Sequence, residues 1–354
     1  MRVLLVTNDF PPKPGGIQQY LNGLVAAFPG EVRVLAPRHD GADDMPGVVR
    51  GRRRFMWPGR RTRRWVAEHV EEFHPDVVLF GAPHPLAHMG RRLREETGVP
   101  FAVLCHGAEV TVPAAFPVTR QLVRMPLRHA DAVLANSRFT AGRVERLARR
   151  PVHVVGVGVD PAFAPDGSPD GVVIGCVSRF VPRKGQRRVL RAARDLRAEG
   201  RDVEVLLVGA GRDERALRRL AARLEVPTRF EVGVPYARLP GLYREMTVFA
   251  MPCRSRWLGL EVEGLGVVYL EAAASGLPVV AGDSGGAPET VDPGVTGFVV
   301  DTDRSLLEAL RRLVDDPGLA AAMGEAGREW VGMHYTWEAV AARFAAGLEA
   351  AAGA

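Results

Sequence analysis

Lysine and cysteine are both scarce in this sequence. Of the 47 lysine and arginine residues only two, Lys13 and Lys184, are lysine. There are three cysteines, and their spacing is not that of a metal site: Cys105, Cys176 and Cys253. Each cysteine lies in or beside an apolar run, so we expect three buried free thiols in a reducing cytoplasm.

Long apolar runs are missing as well. No run approaches the roughly 18 residues that a membrane-spanning helix needs. The first residues, MRVLLVTNDF, are too short for a signal peptide and predict a strand instead. With 47% hydrophobic and 25% charged residues, the composition excludes a disordered or fibrous chain. We therefore expect a soluble cytoplasmic protein, and its 354 residues favour two domains.

The positive charge is concentrated in one segment of the chain. The segment from Arg50 to Arg64 holds eight arginines and no acidic residue, and it includes Phe55, Met56 and Trp57. Such a composition suits an anionic membrane surface or a nucleic acid. Since no nucleic-acid-binding motif accompanies it, we predict membrane binding. The alternative is a solvated, arginine-rich loop and helix start.

Short apolar runs alternate with helical patterns along the whole chain. Nine of these runs predict strands: RVLLVT, EVRVLA, DVVLFG, PFAVLCH, AVLAN, VVIGCVS, VEVLLVG, TVFAMP and PVVAG. This alternation predicts an α/β fold with parallel sheets covered by helices on both faces. The series restarts near Gly171, after the Pro- and Asp-rich stretch 160–171, which is the best linker candidate.

A loose internal repeat follows the first strand of each half. VTNDFPPKPGG and VSRFVPRKGQ align on Lys13 and Lys184. Both lysines therefore belong to loops at the carboxyl end of a first strand, where open α/β sheets bind their ligands. Two such domains that face each other would form a cleft lined by both loops.

The segment with the clearest chemistry contains two glutamates around G-L-G. Glu263 precedes Gly264, Leu265 and Gly266, and a helix is predicted to begin near Gly266. The first amides of a helix are free donors, so this point predicts an anion site. Glu271 lies eight residues after Glu263. A ligand as long as a nucleotide-sugar could contact both carboxylates.

Three further polar residues follow strands. Arg179 and Lys184 come after the first strand of the second half, and together a guanidinium and an ammonium can neutralise a diphosphate. His106 ends the strand PFAVLCH, and Gly107 after it permits close approach of a ligand. A single histidine at such a place is often structural, but this position favours function.

Three motifs suggest other activities, but the surrounding sequence does not support them. Gly282–Gly286 spells GDSGG, but chymotrypsin-like proteases are β-barrels, whereas this chain alternates strands with helices, and His334 is the single histidine after Ser284 that an α/β-hydrolase could use. Asp301–Asp303 spells DTD at a strand-to-helix junction, where helix capping explains it better than a metal. Gly209–Gly211 spells only half of a dinucleotide fingerprint.

Taken together, these motifs resemble a known family. Gly15 and Gly16, HGAE, SRFVPRKG and the E-x7-E frame of Glu263 and Glu271 resemble the retaining glycosyltransferases of family 4, which have the GT-B fold. Within that family, residues 251–289 are similar to GDP-mannose-dependent phosphatidylinositol monomannoside mannosyltransferases. The resemblance covers essentially the whole chain.

The resemblance implies a fold and a domain plan. It implies two Rossmann-like domains facing across a cleft, with a C-terminal helix that crosses back to the first domain. Residues 1–162 and 337–354 would form the acceptor-binding domain. Residues 163–336 would form the domain that binds the nucleotide-sugar donor.

The resemblance also implies roles for individual residues. Arg179 and Lys184 would bind the diphosphate of the donor, and the amides of Val267 and Val268 with Gly16 would complete the phosphate cradle. Glu271 would bind the ribose, and the loop at Val232 would contact the base. The sugar hydroxyls would be bound by Glu263 and by the amides of Gly264, Leu265 and Gly266. His106 would lie against the transferred sugar, and Gln18 would contact the acceptor. The implied catalytic residues are His106, Arg179, Lys184 and Glu263.

The mechanism follows from a missing group. A double-displacement enzyme needs a carboxylate nucleophile beside the anomeric carbon. Near His106 the sequence offers only Glu109, which could equally brace its own loop. The resemblance therefore implies a same-face substitution, with the leaving diphosphate helping to deprotonate the acceptor hydroxyl. It implies no metal and no other cofactor.

The substrates are also implied by the resemblance. They are GDP-mannose and an anionic phosphatidylinositol mannoside glycolipid, joined through an α-1,6 linkage. The protein would then be peripheral at the inner face of the plasma membrane, with no nucleic-acid partner. The alternatives are another nucleotide-sugar, a soluble acceptor, or a sugar-nucleotide epimerase, which can share the GT-B fold.

Overall fold

The chain divides into two units. The computed structural model describes residues 1–13, 15–40, 45–167, 169–257 and 259–353. One unit comprises Met1–Gly158 and Trp337–Ala354, and the other comprises Val159–Thr336. The division falls just before the predicted linker at 160–171, of which Ser168 lies outside the described residues.

The first unit is built on a seven-stranded sheet in the order β3-β2-β1-β4-β5-β6-β7, and every pair of neighbours is parallel. Its strands are β1 Arg2–Val6, β2 Glu31–Ala36, β3 Val48–Arg50, β4 Val77–Phe80, β5 Phe101–Cys105, β6 Ala132–Ala135 and β7 His153–Val154. Its helices are α1 Gly16–Ala27, α2 Arg60–Phe73, α3 Gly90–Thr97, α4 Ala108–Ala114, α5 Pro117–His129, α6 Arg138–Ala148 and the C-terminal helix Trp337–Ala352.

Helices cover both faces of this first sheet. One buried cluster joins the strands to α2, α3, α5 and α6 through side chains that include Val66, Leu93, Leu127 and Val144. The C-terminal helix packs instead against α1, where the Trp337 and Tyr20 rings stack with centroids 6.4 Å apart. The last helix therefore completes the core of the first unit.

The second unit repeats the plan with a six-stranded parallel sheet in the order β10-β9-β8-β11-β12-β13. Its strands are β8 Val172–Val177, β9 Val203–Gly209, β10 Thr228–Val232, β11 Val248–Met251, β12 Val279–Gly282 and β13 Gly297–Val300. Its helices are α7 Gln186–Ala198, α8 Glu214–Arg223, α9 Leu239–Arg244, α10 Val267–Ala274, α11 Asp303–Asp315 and α12 Pro317–His334.

The predicted α/β class with two Rossmann-like parts is confirmed. All nine predicted strands are present, and the four strands that were not predicted are β3, β7, β10 and β13, the outer strands of the two sheets. The three cysteines are free and buried, as predicted. Among the described residues, no helix has both the length and the apolar composition to cross a bilayer.

Candidate functional site

The start of α10 lies at the carboxyl edge of the second sheet. Gly266 precedes the helix with φ 90°, in the left-handed region, and a Cβ at this position would lie 2.5 Å from the Tyr269 ring. Only glycine fits such a position without strain. The helix therefore begins at Val267, beside the predicted start. The amides of Val267 and Val268 are at its open end, where helical N–H groups have no intrahelical acceptor.

The GDSGG segment supports this loop rather than forming a site of its own. The Gly286 amide donates to the Glu263 carbonyl at 2.9 Å, and a Cβ on Gly285 would collide with the same carbonyl oxygen. The buried Ser284 hydroxyl lies 3.0 Å from the Ser255 hydroxyl and accepts from the Glu263 amide at 3.4 Å. These contacts fix the backbone that carries Glu263.

Glu263 is at the centre of a buried ion cluster. Its Oε2 accepts hydrogen bonds from Lys184 Nζ at 2.6 Å and from Arg183 Nη1 at 2.7 Å. Burial opposes ionisation, but the charges and hydrogen bonds of these two cations lower the pKa of Glu263. Glu261 Oε1 lies 3.8 Å from Arg183 Nε, so two formal positive and two formal negative charges meet here. An anion that approaches Lys184 therefore meets an ammonium group already held in place.

Glu271 lies in a different environment, although it is also buried. Its carboxylate accepts from the Tyr243 hydroxyl at 2.9 Å and from the Tyr236 hydroxyl at 3.4 Å. Burial raises the pKa of Glu271 to about 7, against the hydrogen bonds of the two tyrosines, which lower it. The site thus holds one firmly ionised glutamate and one that titrates near neutrality.

The loops around this cluster hold the remaining predicted donor residues. Arg179 is exposed just beyond β8, and its carbonyl accepts from Gln186 Nε2 at 2.9 Å. Within the described part of the chain, its guanidinium forms no ion pair. Gly185 follows with φ 85°, and Val232 is exposed at the end of β10. Arg179 is therefore a cation open to an incoming anion.

His106 occupies the carboxyl edge of the first sheet. The ring is buried, and its Nε2 lies 2.7 Å from the Gly81 carbonyl oxygen. A carbonyl oxygen can only accept, so Nε2 carries a proton and donates to it. The Tyr20 ring meets the imidazole edge-on at 5.6 Å. The imidazole is therefore fixed in orientation, with Nε2 as the donor.

Glu109 braces the loop that carries His106. Its Oε1 accepts from the His106 amide at 2.5 Å and from the Gly107 amide at 3.2 Å. The sequence left open whether this carboxylate serves as a nucleophile or as a brace. Its two backbone hydrogen bonds favour the brace.

The start of α1 carries the other predicted residues of the first unit. Gln18 is buried, and its Nε2 donates to Asp9 Oδ1 at 2.8 Å, which also accepts from Lys13 Nζ at 2.7 Å. Gly16 is exposed, and a Cβ built on it would meet no atom within 4 Å. The backbone at Gly16 is therefore open to a ligand.

Four residues that contact the predicted site were not predicted from the sequence. Arg183 and the tyrosines at 236 and 243 bind the two glutamates, and Asp9 holds Gln18. Arg183 gave no signal because arginine is so common in this chain. Tyr236 had one, since it lies in the loop EVGVPYARL, which the sequence assigned to the base.

The remaining motifs have structural roles. Thr302, inside DTD, caps α11 by accepting from the Ser305 amide, and Asp303 pairs with Arg188 at 2.5 Å. This agrees with the predicted capping role. No group of three or more potential metal ligands occurs among the residues that the structure describes. A Cβ on Gly209 or Gly211 would collide with the loop after β8, so close packing explains this glycine pair.

The basic segment from Arg50 to Arg64 is only partly as predicted. Phe55 and Trp57 are exposed, but Met56 is buried, and its backbone exchanges two hydrogen bonds with the Asn8 side chain. The predicted apolar trio is therefore a pair. Of the eight arginines, six are exposed: Arg52, Arg53, Arg54, Arg60, Arg61 and Arg64.

Comparison with known proteins gives consistent matches over most of the chain. Residues 14–163 match the family described as Glycosyltransferase Family 4, and residues 163–330 match Glycosyl transferases group 1. The chain is 41% identical to a GDP-mannose-dependent alpha-(1-6)-phosphatidylinositol monomannoside mannosyltransferase of Mycolicibacterium smegmatis, over 97% of both chains. It is 38% identical to the corresponding enzyme for the monoacylated lipid in Corynebacterium glutamicum, over 97% of this chain and 96% of the relative.

Solved structures share the fold at lower identity. HepE from Anabaena in complex with UDP superposes with a TM-score of 0.80 and 19% identity, covering 99% of this chain and 100% of that one. Sucrose-phosphate synthase from Thermosynechococcus elongatus gives a TM-score of 0.79 and 20% identity over 98% of each chain. These likenesses show a common architecture.

Proposed function

The chain belongs to the family 4 glycosyltransferases, and on that premise we propose that it transfers mannose from GDP-mannose to a phosphatidylinositol mannoside through an α-1,6 linkage. One observation carries the proposal. The buried cluster of Arg183, Lys184 and Glu263 lies beside the open end of α10, where a sugar diphosphate finds cations, amides and a carboxylate together. The names of the M. smegmatis and C. glutamicum relatives supply the donor and the acceptor class.

In this proposal most donor contacts come from residues of the second unit, and Gly16 of the first unit is the exception. Arg179 and Lys184 contact the diphosphate, and the amides of Val267 and Val268 complete its cradle with Gly16. Glu263 accepts hydrogen bonds from the mannose hydroxyls, helped by the amides of residues 264–266. Glu271 accepts from the ribose, and the base lies against the loop at Val232. No metal or other cofactor takes part.

The reaction is a same-face substitution. The bond between the anomeric carbon and the β-phosphate oxygen breaks as the bond to the acceptor oxygen forms. The acceptor proton passes to the departing phosphate oxygen, so GDP leaves and the α configuration is retained. His106 contacts the sugar, and Gln18 contacts the acceptor. The engagement of Glu109 by two amides supports a mechanism without a carboxylate nucleophile.

We propose that the basic segment from Arg50 to Arg64 binds the membrane surface. Its six exposed arginines can neutralise anionic head groups, and Trp57 beside them suits the interface between head groups and acyl chains. The protein would then be peripheral at the inner face of the plasma membrane. Replacing the six arginines with glutamine should weaken flotation with anionic liposomes at modest salt, whereas equal flotation would overturn this assignment.

The test of activity is incubation of the purified protein with GDP-mannose and phosphatidylinositol monomannoside dispersed in detergent. We expect a dimannoside whose new anomeric centre shows the one-bond C1–H1 coupling constant of an α-mannoside in NMR. A parallel series with UDP-sugars and with a deacylated acceptor covers the alternatives of another donor or a soluble acceptor. Conversion of GDP-mannose to another sugar nucleotide, with no lipid product, would identify an epimerase.

A further inference from the structure

The carboxylate of Glu271 is closed off from solvent, although the proposed function gives it the ribose of the donor. The residue is 2% exposed, and each of its two oxygens accepts a hydrogen bond from a tyrosine hydroxyl. A carboxylate can accept about four hydrogen bonds, so the obstacle to the ribose is access and not capacity. The donor therefore has to displace a side chain of the protein before it reaches Glu271.

The two tyrosines that cover Glu271 are held very differently. Tyr243 is fully buried, and its ring contacts the rings of Phe163 and Phe249, with centroids 5.4 and 5.8 Å away. Its hydroxyl donates to Glu271 at 2.9 Å. Tyr236 is 40% exposed, meets the Phe163 ring edge-on at 5.8 Å, and donates at 3.4 Å. Since this second hydrogen bond is longer than usual for two oxygens, Tyr236 is the side chain that leaves most easily.

The segment that carries Tyr236 is exposed and has a glycine at its base. Tyr236 begins a short 3-10 helix, Tyr236–Arg238, and residues 235–238 are all exposed. Three residues earlier, Gly233 has φ 68°, and a Cβ there would meet no atom within 4 Å. Glycine in the left-handed region can change its backbone angles at small steric cost. This makes Gly233 the hinge about which Tyr236 can swing.

We propose that Tyr236 is a gate on the ribose subsite: its hydroxyl occupies the place of a ribose hydroxyl on Glu271 Oε1, and the nucleotide enters by displacing it. The inference rests on the proposed function, in which Glu271 binds the ribose. One hydrogen bond replaces another on the same oxygen, and no covalent bond changes. A nucleotide with ribose hydroxyls replaces the bond that it breaks, whereas a nucleotide without them gains nothing by breaking it.

Electrostatics keep Tyr236 and Glu271 paired as donor and acceptor until the nucleotide arrives. Burial, followed by the charges of Glu271 and Asp160, raises the pKa of Tyr236, so its hydroxyl keeps the proton that it donates. The same hydrogen bond lowers the pKa of Glu271 against the effect of burial. A ribose hydroxyl that takes over this position also donates, so the exchange does not leave the buried carboxylate without its partner.

The first test removes one tyrosine hydroxyl at a time. Titration calorimetry with GDP at pH 9, well above the pKa of about 7 of Glu271, keeps the carboxylate ionised. Tyr236→Phe removes the competitor of the ribose and should tighten GDP binding about fivefold. Tyr243→Phe removes a hydrogen bond that stays when the nucleotide binds, so it should not tighten binding. Unchanged or weaker GDP binding by Tyr236→Phe would overturn the proposal, and so would equal tightening in both variants.

The second test removes the ribose hydroxyls instead. The dideoxy analogue of GDP, without the 2′ and 3′ hydroxyls, keeps the base and the diphosphate but has no group that can replace Tyr236 on Glu271. The wild type and Tyr236→Phe should bind this analogue equally. If the variant tightens binding of the analogue as much as binding of GDP, Tyr236 obstructs another part of the nucleotide and is not a gate on the ribose.

Fluorine NMR of protein labelled with 3-fluorotyrosine reports the displacement itself. The chain has five tyrosines, and the resonance of Tyr236 is the one that is missing from the spectrum of Tyr236→Phe. GDP should move this resonance toward the position of exposed fluorotyrosine, and the dideoxy analogue should move it less. A resonance that stays in place when GDP binds would contradict displacement.

The proposed activity is scored separately, as mannose transfer by the wild type. Transfer together with equal GDP affinity of the wild type and Tyr236→Phe would support the reaction and overturn the gate. Tighter GDP binding by Tyr236→Phe without any transfer would support the gate and contradict the reaction. If the wild type binds UDP and not GDP, the proposed donor is wrong, and UDP with its dideoxy analogue tests the gate. If it binds neither nucleotide, both proposals are wrong.

Discussion

The two lysines of this chain occupy equivalent loops and have opposite environments. Lys13 follows β1, its side chain is 50% exposed, and it pairs with Asp9, four residues away in the chain. Lys184 follows β8, is only 10% exposed, and pairs with Glu263, 79 residues away. A loop at the carboxyl end of a first strand thus does not by itself bury its lysine. The difference is that in the second unit a distant segment brings a buried carboxylate to the lysine.

The largest difference between the two loops is expected in catalysis. Lys184→Ala removes a preorganised cation from the leaving diphosphate and leaves Glu263 with Arg183 alone. Losses of this kind cost about a hundredfold or more in rate. The measurement is the initial rate of mannose transfer from GDP-mannose, with thermal melting to show that the variant is folded.

Lys184→Arg is the matched control for this prediction. It keeps the charge but replaces a compact ammonium with a planar group in a buried space, so it should lose much of the activity as well. Normal turnover in both variants would show that Lys184 is a structural partner of Glu263 and not a ligand of the donor.

The next effect concerns the second buried glutamate of the same unit. Burial raises the pKa of Glu271 to about 7, above its ordinary value of 4.5, so the folded protein resists ionisation of this group. Its contribution to stability is present at acidic pH and is lost as the pH rises through 7. The loss is on the order of 3 kcal/mol, since each pKa unit is worth about 1.4 kcal/mol.

Glu271→Gln should remove this dependence of stability on pH. The free energy of unfolding, measured at pH 5 and pH 8, should fall more in the wild type than in the variant, while other titrating groups cancel in the comparison. Tyr243→Phe removes a hydrogen bond that lowers the pKa of Glu271, so it should move the midpoint to higher pH. Identical pH profiles of all three proteins would contradict the raised pKa.

A smaller difference, in stability, is expected between glycine variants of the two loops. Gly185 has φ 85°, and a Cβ there would lie 2.5 Å from the Pro252 carbonyl oxygen, so Gly185→Ala should destabilise the protein by about 1–3 kcal/mol. A methyl group added at Gly16 would meet no atom within 4 Å, so Gly16→Ala should change stability by less than about 0.5 kcal/mol.

Donor binding should be affected by Gly16→Ala even though stability is not. If the donor phosphate approaches the backbone at Gly16, Gly16→Ala should weaken binding of GDP-mannose although the fold is intact. Titration calorimetry with GDP and with GDP-mannose measures this. Unchanged affinity together with unchanged stability would remove Gly16 from the phosphate cradle.

The strands show how far a sequence of this kind predicts a fold. Central strands such as β4 and β5 are buried on both faces and are therefore apolar throughout, which makes their pattern clear. The outer strands β3 and β10 are mostly half-exposed, and the outer strand β7 has only two residues. A strand that buries little carries little pattern, so β3, β7 and β10 were missed. The reason does not extend to β13, whose Gly297 and Val300 are buried.

The site shows a similar limit. Glu263 and Glu271 were predicted as site residues because they frame a glycine-rich helix start, a pattern local in the chain. Their partners were not, because Arg183 and Tyr243 reach them from 80 and 28 residues away. Motifs predict the groups that contact a ligand. The side chains that shift the pKa of those groups come from distant segments, and only the packing of the fold brings them into contact.

The smallest predicted effect is that of Lys13→Ala, and it decides whether the comparison between the two loops holds. An exposed ion pair contributes about 0–1 kcal/mol, and Asp9 keeps its hydrogen bond from Gln18 when Lys13 is removed. We therefore expect stability within about 0.5 kcal/mol of the wild type and a transfer rate within about threefold. The measurements are the thermal melt and initial rates at saturating and limiting acceptor. A hundredfold loss of rate at normal stability would mean that both lysines act in catalysis. The exposure of Lys13 in the substrate-free protein would then not indicate its role.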